Sequence, residues 1–492
     1  MQATVLTATL SGVEALPVEV QADVTSGLPS FIIVGLPDAA VQEARDRVRS
    51  AIKASGFDFP NARVVVNLAP APLRKHGTGF DLPIALAILT ATRQIHVNAT
   101  AGASAVGELA LDGSVRSVSG MLAFVIAAAD ADVEIIGPSA ALRTAHVVDG
   151  VRSRRLDSLA QLRTGPLPEG TCVPIRQTEH PQPDLAEVAG HNAAKRALEI
   201  AAAGGHNLVM IGPPGSGKTL LARRLPGILP PLSPLERMQT ALVHSVGGLD
   251  EAPTLAGVRP FRAPHHTCSI AGLAGGGSPP RPGEMSLAHN GVLFLDELPE
   301  FGPAALQTLR QPLEDGFLTL VRAEGRVRYP ADFTLIGAMN PCPCGYLGDP
   351  ERHCSCSPWA INRYDARVGG PLMDRMDLVI RMDRIDPDLL IAASPSEPSA
   401  PVRQRVLETR AFAAERGDLA SKLSGTALLA ACALDGQTSR LFTEIARTKH
   451  FSGRAVTRVL RVARTIADIE RSRRVMTSHI SEAVSYRDRS GE

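Results

Sequence analysis

The chain has 492 residues with 51 basic against 50 acidic side chains, so it is too long for one core and too balanced to gather a polyanion by net field alone. Roughly two to four domains and only local charged patches are expected. No run approaches the ~18 uninterrupted apolar residues of a membrane span, and the opening MQATVLTATLSG lacks a basic stretch feeding an apolar core, which argues against a membrane partner and for the cytoplasm.

In chain order, residues 1–165 alternate strand-like runs (FIIVGL, ARVVVNLAP, EIIGP) with helical stretches (DAAVQEARDRVRSAIKASG, DLPIALAILTATRQI), the texture of a compact α/β or α+β unit. Residues 166–185 are Pro-rich and polar without periodicity and read as a linker. A second α/β region occupies 186–385, and 386–492 holds helical patterns interrupted by SPSEPSAP, a small helical domain. No internal repeat is visible. Two basic runs, RSRR at 152–155 and RVLRVARTIADIERSRR at 458–474, are either solvated faces or polyanion contacts.

The densest chemistry lies in HNLVMIGPPGSGKTLLARRL, where a strand at 207–211 runs into the loop Gly212-Pro213-Pro214-Gly215-Ser216-Gly217-Lys218-Thr219 and then a helix. This is the spacing G-x-x-x-x-G-K-[ST], in which glycines let backbone N–H groups turn toward a phosphate and the helix N-terminus adds positive potential. Lys218 can reach the β- and γ-phosphates of ATP, and Thr219 can ligate Mg²⁺. A second apolar strand, GVLFLDEL at 291–298, ends in Asp296 and Glu297. Asp296 fits the Mg²⁺ shell and Glu297 the polarisation of an attacking water. A third, FTLIGAMN at 333–340, ends in Asn340, whose amide could hold that water or the γ-phosphate. All three ends are expected at the carboxyl edge of one parallel sheet.

Directly after Asn340 comes PCPCGYLGDPERHCSC, which places Cys342, Cys344, Cys354 and Cys356 in the pattern C-x-C-x₉-C-x-C. The other three of the seven cysteines, Cys172, Cys268 and Cys432, are scattered, so the set reads as ligands and not as a disulfide framework. Four thiolates suit a closed tetrahedral Zn²⁺ site; free or redox-labile thiols and an iron–sulfur cluster are the alternatives, with His353 a substitute ligand.

These runs, together with RPFRAPHHTCSIAGLAGGG and GPLMDRMDL, resemble the AAA+ ATPases of the magnesium-chelatase and MCM-helicase branch, most closely the ComM/YifB family, over nearly the whole chain. The resemblance implies a P-loop core with a helical lid, assembled as a homo-hexamer with ATP sites between subunits. It implies that Asn340 is sensor 1, that Arg375 enters a neighbour's site as an arginine finger, and that Arg454, opening a late helix, is sensor 2 and faces ATP. Simple pairing of Arg375 with Asp374 or Asp377 is the alternative. The segment 258–291 resembles the helix-2 insert, for whose His265 and His266 a loop-packing or inter-subunit role is expected. DGFLTLVRAEGRVRYPADF resembles the pre-sensor-1 hairpin, with Arg322, Arg326 and Arg328 placed to track a phosphate backbone. On the helix, Arg458 and Arg461 share the face of Arg454 and would contact a neighbour or DNA.

The N-terminal region resembles a Lon-protease-like domain of ribosomal-S5 type, but the serine and lysine of the peptidase dyad fall near Gly79 and Leu122, which cannot do that chemistry. Three functions compete. A hexameric motor on single-stranded or branched DNA, promoting branch migration during transformation, is favoured by the resemblance. A chelatase-like ATPase acting on a metal-inserting complex is the second. An ATP-dependent protease is the third, weakened by the missing dyad.

Overall fold

The computed structural model describes residues 1–170, 182–322, 325–385, 388 and 396–487. Of the expected linker, 171–181 lie outside the described residues, as do Cys172 and the hairpin residues Ala323 and Glu324. Among the described residues no helix is long and apolar enough to cross a membrane.

The N-terminal unit is a seven-stranded mixed sheet. Its strands are β1 (Gln2–Ser11), β2 (Glu14–Thr25), β3 (Ser30–Val34), β4 (Arg63–Ala69), β5 (Ala103–Ala105), β6 (Glu134–Gly137) and β7 (Ser153–Arg155), in the order β3-β4-β2-β1-β5-β6-β7. The long β1–β2 hairpin, paired from Gln2↔Asp23 to Ser11↔Glu14, was not among the expected strands. Strict alternation buries Val18, Val20, Ala22 and Val24 and leaves Glu19 exposed, so one face meets the core and the other water. Helix α1 (Ala39–Ala54), capped by Asp38 at the Val41 N–H, and the apolar α2 (Asp81–Ala91) pack on that face. The basic run at 152–155 enters the edge strand β7. There Arg154 pairs with Glu134 at 2.8 Å and Arg152 with Asp132 at 3.3 Å, so two of these arginines are used locally.

The second unit is built on five parallel strands. They are β8 (Leu208–Ile211), β9 (Phe261–Arg262), β10 (Val292–Leu295), β13 (Thr334–Met339) and β14 (Leu378–Arg381), ordered β9-β10-β13-β8-β14. Leu208, Val209 and Met210 in β8 and Val292 to Leu295 in β10 are all buried, as expected where helices cover both faces. An antiparallel hairpin, β11 (Phe317–Arg322) with β12 (Gly325–Pro330), stands between β10 and β13 in sequence.

The C-terminal residues form helices, chiefly α9 (Ser399–Ala414), α10 (Gly425–Cys432), α11 (Gly436–Thr448), α12 (Gly453–Ile469) and α13 (Thr477–Ser485). The apolar face of α12, Val459, Leu460, Ala463 and Ile466, joins one core with α4 (Asn192–Gly204) and β8. Arg458, Arg461 and Arg464 on this helix are engaged within the chain, whereas Arg454 is exposed. Arg464 is buried, donates to the carbonyls of Ala431 and Arg473, and pairs with Asp468 at 3.0 Å. Arg461 donates to the Leu423 carbonyl at 2.7 Å, and Arg458 pairs with Asp377.

The two α/β units meet through α3 (Met121–Asp130) and α6 (Pro234–Gly247). Helix α3 has no side-chain cap of its own. Ser245 of α6 supplies one instead: its carbonyl accepts from the Gly120 N–H at 2.8 Å and its hydroxyl from the Leu122 N–H at 3.2 Å. Leu122, Ala241 and Leu255 close the joint with a small apolar cluster.

Candidate nucleotide site and four-cysteine centre

The loop after β8 sits at the carboxyl edge, where central placement between β13 and β14 brings three strand ends together. Gly217 caps the helix Lys218–Ala222 with φ of 79°, a left-handed conformation that a side chain would strain. Lys218 is buried. Its ammonium donates to the carbonyls of Gly212 at 2.7 Å and Pro213 at 2.8 Å and lies 3.4 Å from Asn340 Oδ1. Burial holds its pKa below the ordinary lysine value, so an arriving phosphate would supply the anion this cation lacks. The Thr219 hydroxyl donates to Asp296 Oδ2 at 2.6 Å, and Asp296 Oδ1 accepts the Glu297 N–H at 2.9 Å. A hydroxyl and an acceptor-only carboxylate together form the hard-oxygen pair that suits Mg²⁺.

Glu297 adopts φ of 52° and ψ of 47°, unusual for a glutamate. Its Oε2 lies 3.0 Å from His266 Nδ1. Sequence reasoning gave His266 a packing or inter-subunit role; its contact with the second carboxylate depends on a fold-level encounter that no spacing encodes. It likewise passed over His191, which sits beside the loop in a left-handed conformation, with Nε2 buried and unpartnered among the described residues.

Arg375 and Arg454 are elsewhere. They line a cleft of about 740 Å³ with Asn207, Gly291, Thr334 and Asp377, residues at the amino ends of the parallel strands. Arg454 therefore does not face the phosphate loop of its own chain, contrary to the expectation that it faces ATP there. Packing of α12 against α4, with Arg458 paired to Asp377 ahead of β14, carries the start of α12 to the opposite edge. Arg375 pairs with Glu314, and not with Asp374 or Asp377, and donates to the Pro371 carbonyl at 2.7 Å. Asp377 is instead held by Arg458 and His206, which keep its carboxyl well below the usual range against the cost of burial.

In the hairpin, Arg326 and Arg328 are exposed, and the Arg328 guanidinium lies 3.4 Å from the centroid of the Phe317 ring. Arg322 pairs through its backbone with Gly325 at the tip; its side chain lies outside the described residues. On the other face Leu318 and Tyr329 are buried.

The four cysteines converge. Cys342 Sγ lies 3.3 Å from Cys344 Sγ and 3.7 Å from Cys354 Sγ, the Cys344–Cys354 separation is 3.6 Å, and all four sulfurs fall within 4.8 Å of one another. A tetrahedral ion with Zn–S bonds of about 2.3 Å requires sulfurs ~3.8 Å apart, so the set fits one ion. A polynuclear iron–sulfur cluster would interpose several irons and sulfides and spread the thiolates further. Hydrogen bonding from the Tyr346 N–H, ahead of that from Ser355, lowers the Cys344 thiol to about 6 and favours the thiolate. His353 is exposed and is not a member of the group. The loop rests on the phosphate loop: a Cβ on Gly345 would stand 2.7 Å from Pro214 Cδ.

Family models for the magnesium chelatase subunit ChlI match residues 184–390, for subunit ChlI of Mg-chelatase residues 20–140, and for the ChlI C-terminal region residues 396–487. The uncharacterized protein YifB of Salmonella typhimurium is 42% identical over 97% of this chain and 95% of its own length. The competence protein ComM of Haemophilus influenzae is 41% identical over the same shares. The chain belongs to the YifB/ComM family of magnesium-chelatase-like proteins. A more distant likeness, 30% identity over 33% of this chain and 29% of the relative, is to the magnesium-chelatase 67 kDa subunit of Heliobacterium mobile. Membership in this magnesium-chelatase-like AAA+ family suggests ATP and Mg²⁺ for the phosphate loop.

Proposed function

We propose that this YifB/ComM-family chain is the subunit of a ring-shaped, hexameric ATPase motor that moves on single-stranded or branched DNA and drives branch migration of recombination intermediates. The observation that carries the ring is the separation of parts. Lys218, Thr219, Asp296, Glu297 and Asn340 gather at one sheet edge, while Arg375 and Arg454 occupy a cleft at the other. Two arginines on the far edge can meet a γ-phosphoryl group only in another copy of the chain, which favours head-to-tail association with sites between subunits.

In this reading Lys218 and the loop amides hold the β- and γ-phosphates, and Thr219 and Asp296 hold Mg²⁺. Glu297 orients the attacking water beside Asn340, and a neighbour's Arg375 and Arg454 offset charge as the phosphoryl group transfers. The helices from 399 onward form the lid. The hairpin arginines Arg326 and Arg328 supply sequence-independent phosphate contacts, and Arg322 is placed with them by its tip position. The four cysteines hold a structural Zn²⁺ that stiffens the connection between Asn340 and Arg375.

The Lon-like reading of the N-terminal unit goes with no peptidase activity. A side chain at Gly79 would face Val106 and Val118, and Leu122 is packed against Ala241 and Leu255. The turn of its β1–β2 hairpin reaches the β11–β12 hairpin, since a Cβ on Gly12 would stand 3.1 Å from the Arg328 carbonyl. The name of the Haemophilus relative, a competence protein, favours DNA over a porphyrin-bearing complex as substrate. Purified protein should hydrolyse ATP faster with DNA and resolve a branched DNA substrate in an ATP-dependent manner. Hydrolysis indifferent to DNA, with branched DNA left intact, would end the motor reading and leave the chelatase-like one.

A further inference from the structure

We infer that Trp359, with Leu347 and Leu220, forms the apolar surface on which the next copy of the chain seats, and that the four-cysteine loop presents it. The inference rests on the reading of ATP sites shared between copies and names the contact that joins them.

The first observation is where these side chains stand. Exposed apolar residues scattered singly carry no meaning. Here Leu220 is 40%, Leu347 41% and Trp359 68% exposed, and all three flank the phosphate loop. Leu220 follows Thr219 on the helix Lys218–Ala222, Leu347 lies inside the cysteine loop, and Trp359 opens the helix Pro358–Val368 three residues after Cys356. The cysteine loop itself rests on the nucleotide site, since a Cβ on Gly345 would stand 2.7 Å from Pro214 Cδ and 3.8 Å from Asn340 Cγ. This edge holds Lys218, Thr219 and Asn340 but not Arg375 or Arg454, which line the cleft at the other edge. A second copy that delivers its arginines here must cover the loops carrying the three apolar side chains, so it is the occupant.

The second observation is that the surface is held rigid before anything covers it. Ser357 caps the helix, its hydroxyl accepting from the Ala360 N–H at 3.3 Å, and Tyr364 and Val368 bury the helix's inner face in a core with Leu298 and Phe301. On the outer face the Arg363 guanidinium lies 5.2 Å from the centroid of the Trp359 ring. Leu347 is fixed from both sides. Its neighbour Tyr346 has the guanidinium groups of Arg352 and Arg384 at 5.2 and 5.6 Å from its ring centroid, and the Tyr346 carbonyl accepts the Asp349 N–H at 3.1 Å. Asp349 is buried, accepts the Glu351 and Arg352 N–H groups, and pairs with Arg384 at 2.9 Å beyond β14. The four sulfurs close the two ends of the same loop. A tryptophan and a leucine already fixed lose little freedom on association, which is the property of an interface anchor.

The chain contains a single tryptophan, so its emission reports Trp359 alone. The full chain is titrated with a non-hydrolysable ATP analogue and Mg²⁺, without DNA, while sedimentation velocity follows its mass. As the mass rises, the emission should shift to shorter wavelength and acrylamide quenching should fall severalfold. Trp359→Ala should need roughly 30-fold more protein to assemble and to reach half-maximal ATP hydrolysis, the factor lost when a central interface aromatic is truncated. At saturating protein its rate per chain should equal that of wild type. Assembly that leaves the wild-type emission and quenching unchanged would overturn the proposal and spare the ring. A wild-type chain that stays monomeric and hydrolyses ATP at a rate per chain independent of concentration would end the ring reading itself, and this contact with it. A shift that comes instead on adding single-stranded DNA to the unassembled chain would make the indole a base-stacking platform and also overturn the proposal.

Discussion

At the scale of single residues, the two carboxylates closing β10 have separable tasks. Asp296 is committed to Thr219, whereas Glu297 touches neither Thr219 nor Lys218 in any hydrogen bond among the described residues. Glu297→Gln keeps size and loses basicity, so turnover should fall on the order of a hundredfold or more while ATP affinity holds. Equilibrium binding of a fluorescent ATP analogue beside single-turnover hydrolysis checks this, and normal turnover would remove Glu297 from its role. His289 makes a different prediction. Its Nδ1 accepts the Asp332 N–H at 3.1 Å, and burial pushes the imidazole down to about 4. A depressed histidine lets the unfolded chain take up the proton first, so its contribution is complete above pH ~6.5 and declines as the pH falls toward 4, by on the order of 3 kcal/mol. His289→Asn, which retains an acceptor, should flatten the fall of the urea midpoint between pH 7.5 and 5; an unchanged slope would show that His289 does not set it.

At the scale of elements, the cysteine loop and the hairpin each carry a test. The loop has no helix or strand between Pro341 and Ser357, so four converging sulfurs are the natural source of its order. Protein purified without added metal should contain about one zinc per chain. Chelation should then open the loop to proteolysis and weaken ATP binding, because Gly345 backs the Pro214 turn. Absence of stoichiometric metal would leave only the thiol reading. For the hairpin, removing Arg326 and Arg328 together should weaken binding of all DNA sequences alike and reduce the salt dependence by roughly one unit of slope per lost phosphate contact. Discrimination that changes with base sequence would argue against backbone tracking.

At the scale of the whole molecule, sites shared between copies predict complementation. Arg375→Ala and Glu297→Gln should each be nearly inactive alone. Mixed in equal amounts, they should recover roughly a quarter of the wild-type rate, the fraction of interfaces in a randomly assembled ring that pair two intact halves. No recovery in a mixture shown to co-assemble would place Arg375 in its own chain's chemistry. The N-terminal unit enters at the same scale, since α3 is capped by Ser245 of α6 and cannot complete its first turn from its own sequence.

Legible in the sequence were the phosphate loop, the Asp296–Glu297 pair, Asn340 and the grouping of the four cysteines that the fold brings together. Each is written in a few contiguous residues whose backbone conformation and flanking strand follow from local rules. The sequence also carried three of the five parallel strands, because buried strands read as apolar runs. The long β1–β2 hairpin was missed although its alternation is local. The remainder follows from packing across the fold: Arg454 lies across the sheet from Lys218, Arg375 is held by Glu314, and His266 meets Glu297. These relations involve residues 31 to well over 200 positions apart, and they are set by which faces of α12, the insert and the sheet pack together. Side-chain spacing along the chain carries no record of that choice.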